Sequence, residues 1–408
     1  MLQICKRCLY TETHPLGIVF DEEGICSGCR IHEEKDTLDW GVRWGYLEEL
    51  VQPYRDNTGS KYDCIVPVSG AGDSYFIVHI VKEKLQLNPL LVSYNRYFNT
   101  PLGIRNLANL RIRFNCDILL QNVNPNAVKA ITRSALNQFG SVYWPVLAGQ
   151  TVFPVQTAVR FKIPLIIWGS HQGLEQVGMF SHKHEVEMTR RYRKDHDLMG
   201  KEAYDLINLF DTITQDDVHQ YLYPDDARLN NIGVRGLYLG NYVRWDPKAQ
   251  HEMMIKNYDY YSAPFARTFD TYDHTDCYLY MGIHDLLKYY KHGYSKVTDH
   301  ACREIRHGRL TREGAVALVR HYRDQPAIDT HLFANWLGIS QSGLQFLLDQ
   351  HRNPIYWSQT GKKDWVFKDP LTNETASPRL PNLGFIANSN LKYDKDSDTY
   401  ITIGKGYP

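Results

Sequence analysis

No stretch of this 408-residue chain is apolar over the ~18 residues that a membrane-spanning helix needs. Its first residues, Met1-Leu2-Gln3-Ile4-Cys5-Lys6-Arg7-Cys8, hold no apolar core of the kind a secretory leader carries, so none is expected. Net charge is also lacking, because 46 Lys and Arg balance 46 Asp and Glu. A chain without excess positive charge is not built to coat nucleic acid, although a local basic patch stays open. There is no internal repeat and no low-complexity tract. A 43% hydrophobic and 23% charged composition excludes disordered and fibrous classes. The expected setting is the cytoplasm, where thiols stay reduced and the eight cysteines do not form disulfides.

At roughly 100–200 residues per domain, the length predicts two or three domains. Four of the cysteines fall early, as Cys5-x2-Cys8 and Cys26-x2-Cys29. Each pair places two thiolates on one tight turn, and two such turns close a tetrahedron around Zn²⁺. Four sulfurs leave no open position, so the metal is expected to be structural; an iron–sulfur cluster is the competing occupant. Residues 1–35 thus read as a zinc ribbon, and 36–60 as a connecting helix and linker ending in Asp56-Asn57-Thr58-Gly59-Ser60.

From there the pattern alternates. Residues 62–68, 90–94, 118–123 and 164–168 read as strands, with helices after the first and over about 104–114, 126–139 and 151–162. This predicts an α/β fold: a doubly wound, mainly parallel sheet over residues 61–247 with helices on both faces. Residues 248–350 read as helical. Residues 351–408 read as an arm or small β annex, with β-like pieces at Trp365-Val366-Phe367 and Tyr400-Ile401-Thr402-Ile403.

Between the first strand and its helix stands Ser69-Gly70-Ala71-Gly72-Asp73-Ser74. Small residues there let backbone N–H groups approach a phosphate, and the helix N-terminus favours negative charge. Ser69 and Ser74 add hydroxyl donors; Asp73 suits either Mg²⁺ or a helix cap. No Gly-Lys-[Ser/Thr] follows, and the glycine spacing is not that of a dinucleotide fingerprint. An ordinary Gly-rich turn is the alternative reading.

The segment from Tyr62 to Ser74 resembles the S-G-G-x-D-S loop of the PP-loop ATP-pyrophosphatase superfamily, with Ala71 in place of the second glycine. The wider chain, over roughly residues 1–350, resembles the N-acetyl sugar amidotransferases of surface-polysaccharide and nonulosonic-acid biosynthesis. That likeness is carried by the cysteine pairs ahead of the loop and by Tyr238-Leu239-Gly240-Asn241 with Trp245-Asp246. Phe269-Asp270-Thr271-Tyr272 with Asp276-Cys277 adds to it, as does His284-Asp285-Leu286-Leu287-Lys288-Tyr289. Gly293-Tyr294, Ile305-Arg306, Gly308-Arg309 and Thr311-Arg312 complete it. The resemblance implies ATP and Mg²⁺ as cofactors. It also implies a nucleotide-activated N-acetyl sugar as substrate and conversion of its acetamido group to acetamidino. Adenine would lie at Ser93, Tyr94 and Asn95, where related domains hold it.

Ammonia must come from somewhere. Leu2 rather than Cys follows Met1, and none of Cys64, Cys116, Cys277 and Cys302 sits in Gly-x-Cys-x-Gly, so no glutaminase is expected within this chain. The resemblance implies a separate glutaminase subunit. Gly169, Ser170 and His171 end the fourth strand and would face the same crevice, with Glu175 one helical turn on. Arg190 and Arg191, and likewise Arg306 and Arg309, are candidates for a diphosphate or carboxylate, against the plainer reading of solvated helix faces. His284 and Asp285 are candidates for an acid/base pair, or for a helix cap. Cys64 and Cys116 read as core residues. Two further readings stand beside this one: a tRNA-thiolating enzyme of the same superfamily, and a catalytically degenerate scaffold for a glutaminase.

Overall fold

A computed structural model describes residues 2–55, 59, 61–210, 212–361 and 364–389. The Tyr400-Ile401-Thr402-Ile403 piece and most of the 56–60 linker lie outside these residues. Five strands form one parallel sheet: β1 (Cys64–Pro67), β2 (Pro89–Tyr94), β3 (Ile118–Gln121), β4 (Leu165–Trp168) and β5 (Arg235–Tyr238). The order is β3-β2-β1-β4-β5. β2 is buried along its whole length, which is why it reads as an unbroken apolar run rather than an alternating one.

Local chemistry sets the crossovers. Thr100 accepts the Gly103 N–H at 2.9 Å and Pro101 opens the helix Pro101–Arg113. Asn124 caps the helix Pro125–Phe139, which Gly140 ends in the left-handed region. The following helix spans Trp144–Phe161, seven residues earlier in onset than residues 151–162 suggest. Pro145 sits in its first turn, where a proline costs nothing, and Pro154 is carried inside it. β5 is not foreseen from the sequence. Its four residues include Gly236, and it becomes a strand by pairing Leu165–Trp168 with Arg235–Tyr238.

The C-terminal half is helical, as expected, with helices at Pro247–Tyr258, Asp285–His292, Lys296–Arg306, Arg312–Tyr322, Thr330–Leu337 and Gln341–Asp349. β6 (Trp357–Gln359) and β7 (Trp365–Phe367) form an antiparallel pair. None of the described helices is long and apolar enough to cross a membrane.

The ribbon is not a separate bead. Its four cysteines share one hydrophobic core with Val297, Ala301, Cys302 and Val316 of the C-terminal helices. The sheet is tied to the same half through a buried ion pair, Arg96 Nη1 with Asp276 Oδ2. Both side chains are nearly dry, at 9% and 2% exposure. Arg96→Met strands the Asp276 carboxylate and is expected to cost about 3–5 kcal/mol. Replacing both by apolar residues, Arg96→Met with Asp276→Leu, is expected to recover more than half of that loss. Urea unfolding midpoints of the single and double variants check both statements.

Candidate functional site

With β1 between β2 and β4, the chain direction across the sheet reverses beside β1, and ligands in open α/β sheets sit at that crevice. A cavity of about 200 Å³ lies there, lined by Ser69 and Ser74 of the loop, by Tyr94 at the end of β2 with Arg96 beyond it, and by Trp168 at the end of β4 with Gly169 beyond it. The loop itself is tightly organised. Ser69 N–H donates to Ser74 Oγ at 2.9 Å, and Ala71 N–H to Ser69 Oγ at 3.3 Å. Gly70 has φ +87, and a side chain there would press on the Gly103 carbonyl. Ala71, by contrast, has φ −77 and ψ 165, an extended conformation that any L-residue adopts. The alanine departure from the superfamily pattern therefore falls where a methyl strains nothing in the turn. Ala71 is the N-cap of Gly72–His79 and no side chain caps that helix, so its first N–H groups are available to an anion.

Asp73 does not cap. Its Oδ1 stands 3.0 Å from His251 Nε2, and the carboxylate remains 44% exposed beside the loop. His251, on the helix Pro247–Tyr258, is buried against Gly72, where a Cβ would come within 2.2 Å of its ring. Burial disfavours the imidazolium, but the Asp73 hydrogen bond and charge, with Asp273 and Asp270 behind, outweigh it and raise the His251 pKa above the usual imidazole value.

Of the adenine candidates, Tyr94 reaches the cavity wall, its hydroxyl 2.7 Å from that of Tyr221. Ser93 is buried inside β2. Asn95 instead braces the following loop, accepting from Tyr97 N–H and Asn99 Nδ2 and donating to Asn122 Oδ1. Ser170 lies beside Gly240 at the β4 end and is not in the cavity wall. His171 is buried among Tyr192, Tyr238 and Phe180, and burial with the nearby Arg193 charge pulls its pKa down to about 4.

Several residues read as substrate ligands are held by other partners. Glu175 Oε2 accepts from the buried Lys35 Nζ at 2.5 Å. Arg190 forks onto Glu202 at 2.8 and 2.9 Å, and Arg191 is 93% exposed beside Asp195. Arg309 forks onto Asp246 and also meets Glu304. Arg306 donates to the Glu175 and Gln176 carbonyls and lies 3.7 Å from Cys26 Sγ and 4.0 Å from Cys8 Sγ. Nor do His284 and Asp285 meet as an acid/base pair. Asp285 accepts from Arg267 Nε and the Lys296 N–H, both at 2.5 Å, while His284 packs between Tyr143 and Tyr280. Burial and nearby lysines pull the His284 pKa down to about 3. Asp285 does not cap a helix start either, because the helical turn is continuous from residue 280.

The cysteines converge as their spacing predicts. Cys5 Sγ is 4.0 Å from Cys29 Sγ and Cys8 Sγ 3.6 Å from Cys26 Sγ, and all four are buried. A tetrahedron with Zn–S of about 2.3 Å has edges of roughly 3.8 Å, so the four sulfurs fit the ion and are too far apart for disulfides. Cys5 Sγ also accepts N–H groups of Arg7, Cys8 and Cys26, and Arg306 stands over the cluster. A second group, Asp270, Asp273 and His300, brings ligand atoms within 4.8 Å of one another. There Arg303 already pairs with both carboxylates and supplies the positive charge.

Sequence reading missed Arg96 and His251. Arg96 stands one residue past the adenine candidates, and His251 meets the site from 178 residues beyond Asp73; no local pattern marks either.

The molecule is thus an α/β protein with an anion-receptive loop at its sheet crevice and a four-cysteine node. Comparison adds that residues 257–371 match the family model for the C-terminal domain of WbpG-like LPS biosynthesis proteins. An uncharacterized protein of Methanocaldococcus jannaschii is 27% identical over 118 residues, which are 29% of this chain and 42% of that protein. The match therefore spans less than half the length of that relative. Among solved structures, the NH3-dependent NAD synthetase of Campylobacter jejuni aligns with a TM-score of 0.29 and 12% identity, over 54% of this chain and 94% of that one. NMN synthetase of Francisella tularensis gives 0.27 and 12%, over 48% and 93%.

Two outcomes are expected. Metal analysis of the purified protein should find about one zinc per chain without visible iron–sulfur absorbance, and Cys26→Ser should lose the metal and lower the melting temperature. The raised His251 pKa means its pairing with Asp73 stabilises the fold fully below the ordinary imidazole value and is lost as pH rises through the raised one. Melting temperatures from about pH 6 to about pH 9 should fall in that window for the native chain and lose that component in His251→Gln.

Proposed function

We propose that this protein is an ATP-dependent amidotransferase that converts an acetamido group of a nucleotide-activated N-acetyl sugar to acetamidino, using ammonia from a separate glutaminase. The observation that carries the reading is the uncapped, serine-lined loop at the sheet crevice beside a cavity, in a chain whose C-terminal region matches WbpG-like LPS biosynthesis proteins.

In this reading the backbone N–H groups of Gly70, Gly72 and Asp73 and the Ser69 and Ser74 hydroxyls hold the leaving pyrophosphate. Asp73 would hold a Mg²⁺ carried with the polyphosphate, and that ion would supply neutralisation of the phosphate charge. The amide oxygen of the sugar attacks the α-phosphate and expels pyrophosphate. Ammonia adds to the activated carbon, a proton leaves its nitrogen, and AMP departs with the former amide oxygen. The net change is oxygen for NH, with one ATP consumed to AMP and pyrophosphate. An amide oxygen is a poor leaving group, which is why adenylation is needed. The chain contributes position and charge stabilisation.

Two observations favour this over the other readings. No cysteine lines the cavity, so a thiolation nucleophile is missing from its wall. Ala71 sits in relaxed extended backbone, so the turn is not damaged as a degenerate scaffold would allow.

The test supplies Mg-ATP, ammonium chloride and a panel of UDP- and CMP-linked N-acetyl sugars, and quantifies AMP, pyrophosphate and sugar mass. One sugar is expected to give stoichiometric AMP and a product with NH in place of oxygen, and Asp73→Asn is expected to slow it by about 10²–10³. ATP binding with no turnover on any sugar would count for the scaffold; sulfur transfer to tRNA would count for thiolation.

A further inference from the structure

Five basic side chains gather on one stretch: His284, Lys288, Lys291, His292 and Lys296. All five keep partial exposure to solvent. Among the described residues only Lys288 meets a carboxylate, that of Asp299. Lys291 Nζ donates to the Phe139 and Gly140 carbonyls at 3.1 and 3.4 Å, and Lys296 Nζ to the Tyr280 hydroxyl at 2.9 Å. Asp299 is shared further with Tyr10 and Gln176. Asp273, the other carboxylate whose charge reaches Lys296, is taken by His300 and Arg303. Two ammonium groups are thus left without a counter-charge of their own in a partly dry setting, which costs free energy until an anion arrives.

His284 registers that imbalance. Burial, then the charges of Lys288, Lys296 and Lys291, keep its ring neutral. No hydrogen bond engages either ring nitrogen among the described residues, and neither is sealed from water. A neutral imidazole in that state has one N–H to give. Lys296 has spent one of its three N–H donors, and the Tyr280 hydroxyl that accepts from it still has its own proton to give. Tyr280 is clamped in turn. Its ring stacks on His274 with 3.5 Å between centres, and His274 is held at φ +59, a left-handed conformation that a side chain of that size rarely adopts. These donors are therefore set before a ligand arrives.

The cluster flanks the loop cavity without lining it. Tyr143 stands between the two. Its ring lies 5.4 Å from that of Tyr280 and 5.2 Å from that of His284, and it feels the charge of Arg96 in the cavity wall. The turn that carries His274 is also pressed toward the loop through backbone contacts. A side chain at Gly103 would strike the Asp276 Cα, and one at Gly70 would come within 2.9 Å of the Gly103 carbonyl oxygen. An ammonium is a compact point charge suited to phosphate oxygens. A phosphate held by these lysines would leave the loop free for the phosphates of ATP.

We propose that Lys291, Lys296, Tyr280 and His284 bind the phosphate of the nucleotide-activated sugar beside the loop cavity, while the loop holds the phosphates of ATP. The identity of that ligand rests on the amidotransferase reading, and its phosphate on the cluster itself.

Titration calorimetry of the full chain tests it with UDP, GDP and CMP, each against its nucleoside, and with Mg-ATP. At least one of the three nucleotides is expected to bind at least about tenfold more tightly than its nucleoside. Lys296→Met should weaken that nucleotide about tenfold and Tyr280→Phe about threefold, while Lys296→Arg should keep most of the affinity. Mg-ATP should bind these variants as it binds the native chain, which also shows that they are folded. No preference for any nucleotide over its nucleoside would overturn the site. So would nucleotide binding unchanged in both Lys296→Met and Tyr280→Phe. Loss of ATP binding in place of nucleotide binding would give the cluster to ATP and overturn its assignment to the sugar. Absence of turnover on every sugar, with Lys296-dependent nucleotide binding intact, would sink the amidotransferase and leave the site standing. Turnover at native KM in Lys296→Met would sink the site and leave the amidotransferase standing.

Discussion

A parallel strand cannot be reached by a hairpin. Each successive strand must be joined by a crossover that returns over a face of the sheet. That constraint buries β1 and β2 on both faces and sends every strand-to-helix loop to the same edge. Ser69–Ser74 and Gly169 are therefore neighbours in space although β1 and β4 are far apart in sequence. The anion-receptive loop, its cavity and Tyr94 all follow from this single edge.

The C-terminal half completes that edge from outside. His251 reaches under the loop to Asp73 and Asp276 locks Arg96, so the loop's electrostatics are set by residues the sheet does not own. The four-cysteine node works similarly. It is closed by its own knuckles but seated by Arg306, by Arg312 donating to the Cys5 and Cys8 carbonyls, and by Cys302 accepting the Leu9 N–H. A metal in that node would brace the helices Lys296–Arg306 and Arg312–Tyr322, and Arg306 carries the contact on to the Glu175 and Gln176 carbonyls that follow β4.

The arginines illustrate how tertiary partners redirect a residue type. Arg306 and Arg309 read from the sequence as candidates for a diphosphate or carboxylate, yet one faces cysteine sulfurs and backbone carbonyls and the other faces Asp246 and Glu304. Arg267 and Arg352, which no motif marks, are likewise claimed, the one by Asp285 and the Gln325 carbonyl and the other by Asp349. Sequence spacing identifies an arginine; only its counter-charges tell whether its donors are spent.

What the sequence determined by itself was local and periodic. The two C-x2-C turns, the apolar run into a Gly-Ser loop, and the alternation of strands with helices are short-range patterns whose geometry is fixed within a few residues. They made the four-cysteine node, the loop and the parallel sheet legible. The tertiary structure decided what depends on closure over long separations. β5 is a strand only because β4 pairs with it, His251 meets Asp73 across 178 residues, and Asp285 is claimed by Arg267 rather than by its neighbour His284. Burial and ion pairing in a folded chain are properties of pairs, and a sequence displays only their members one at a time.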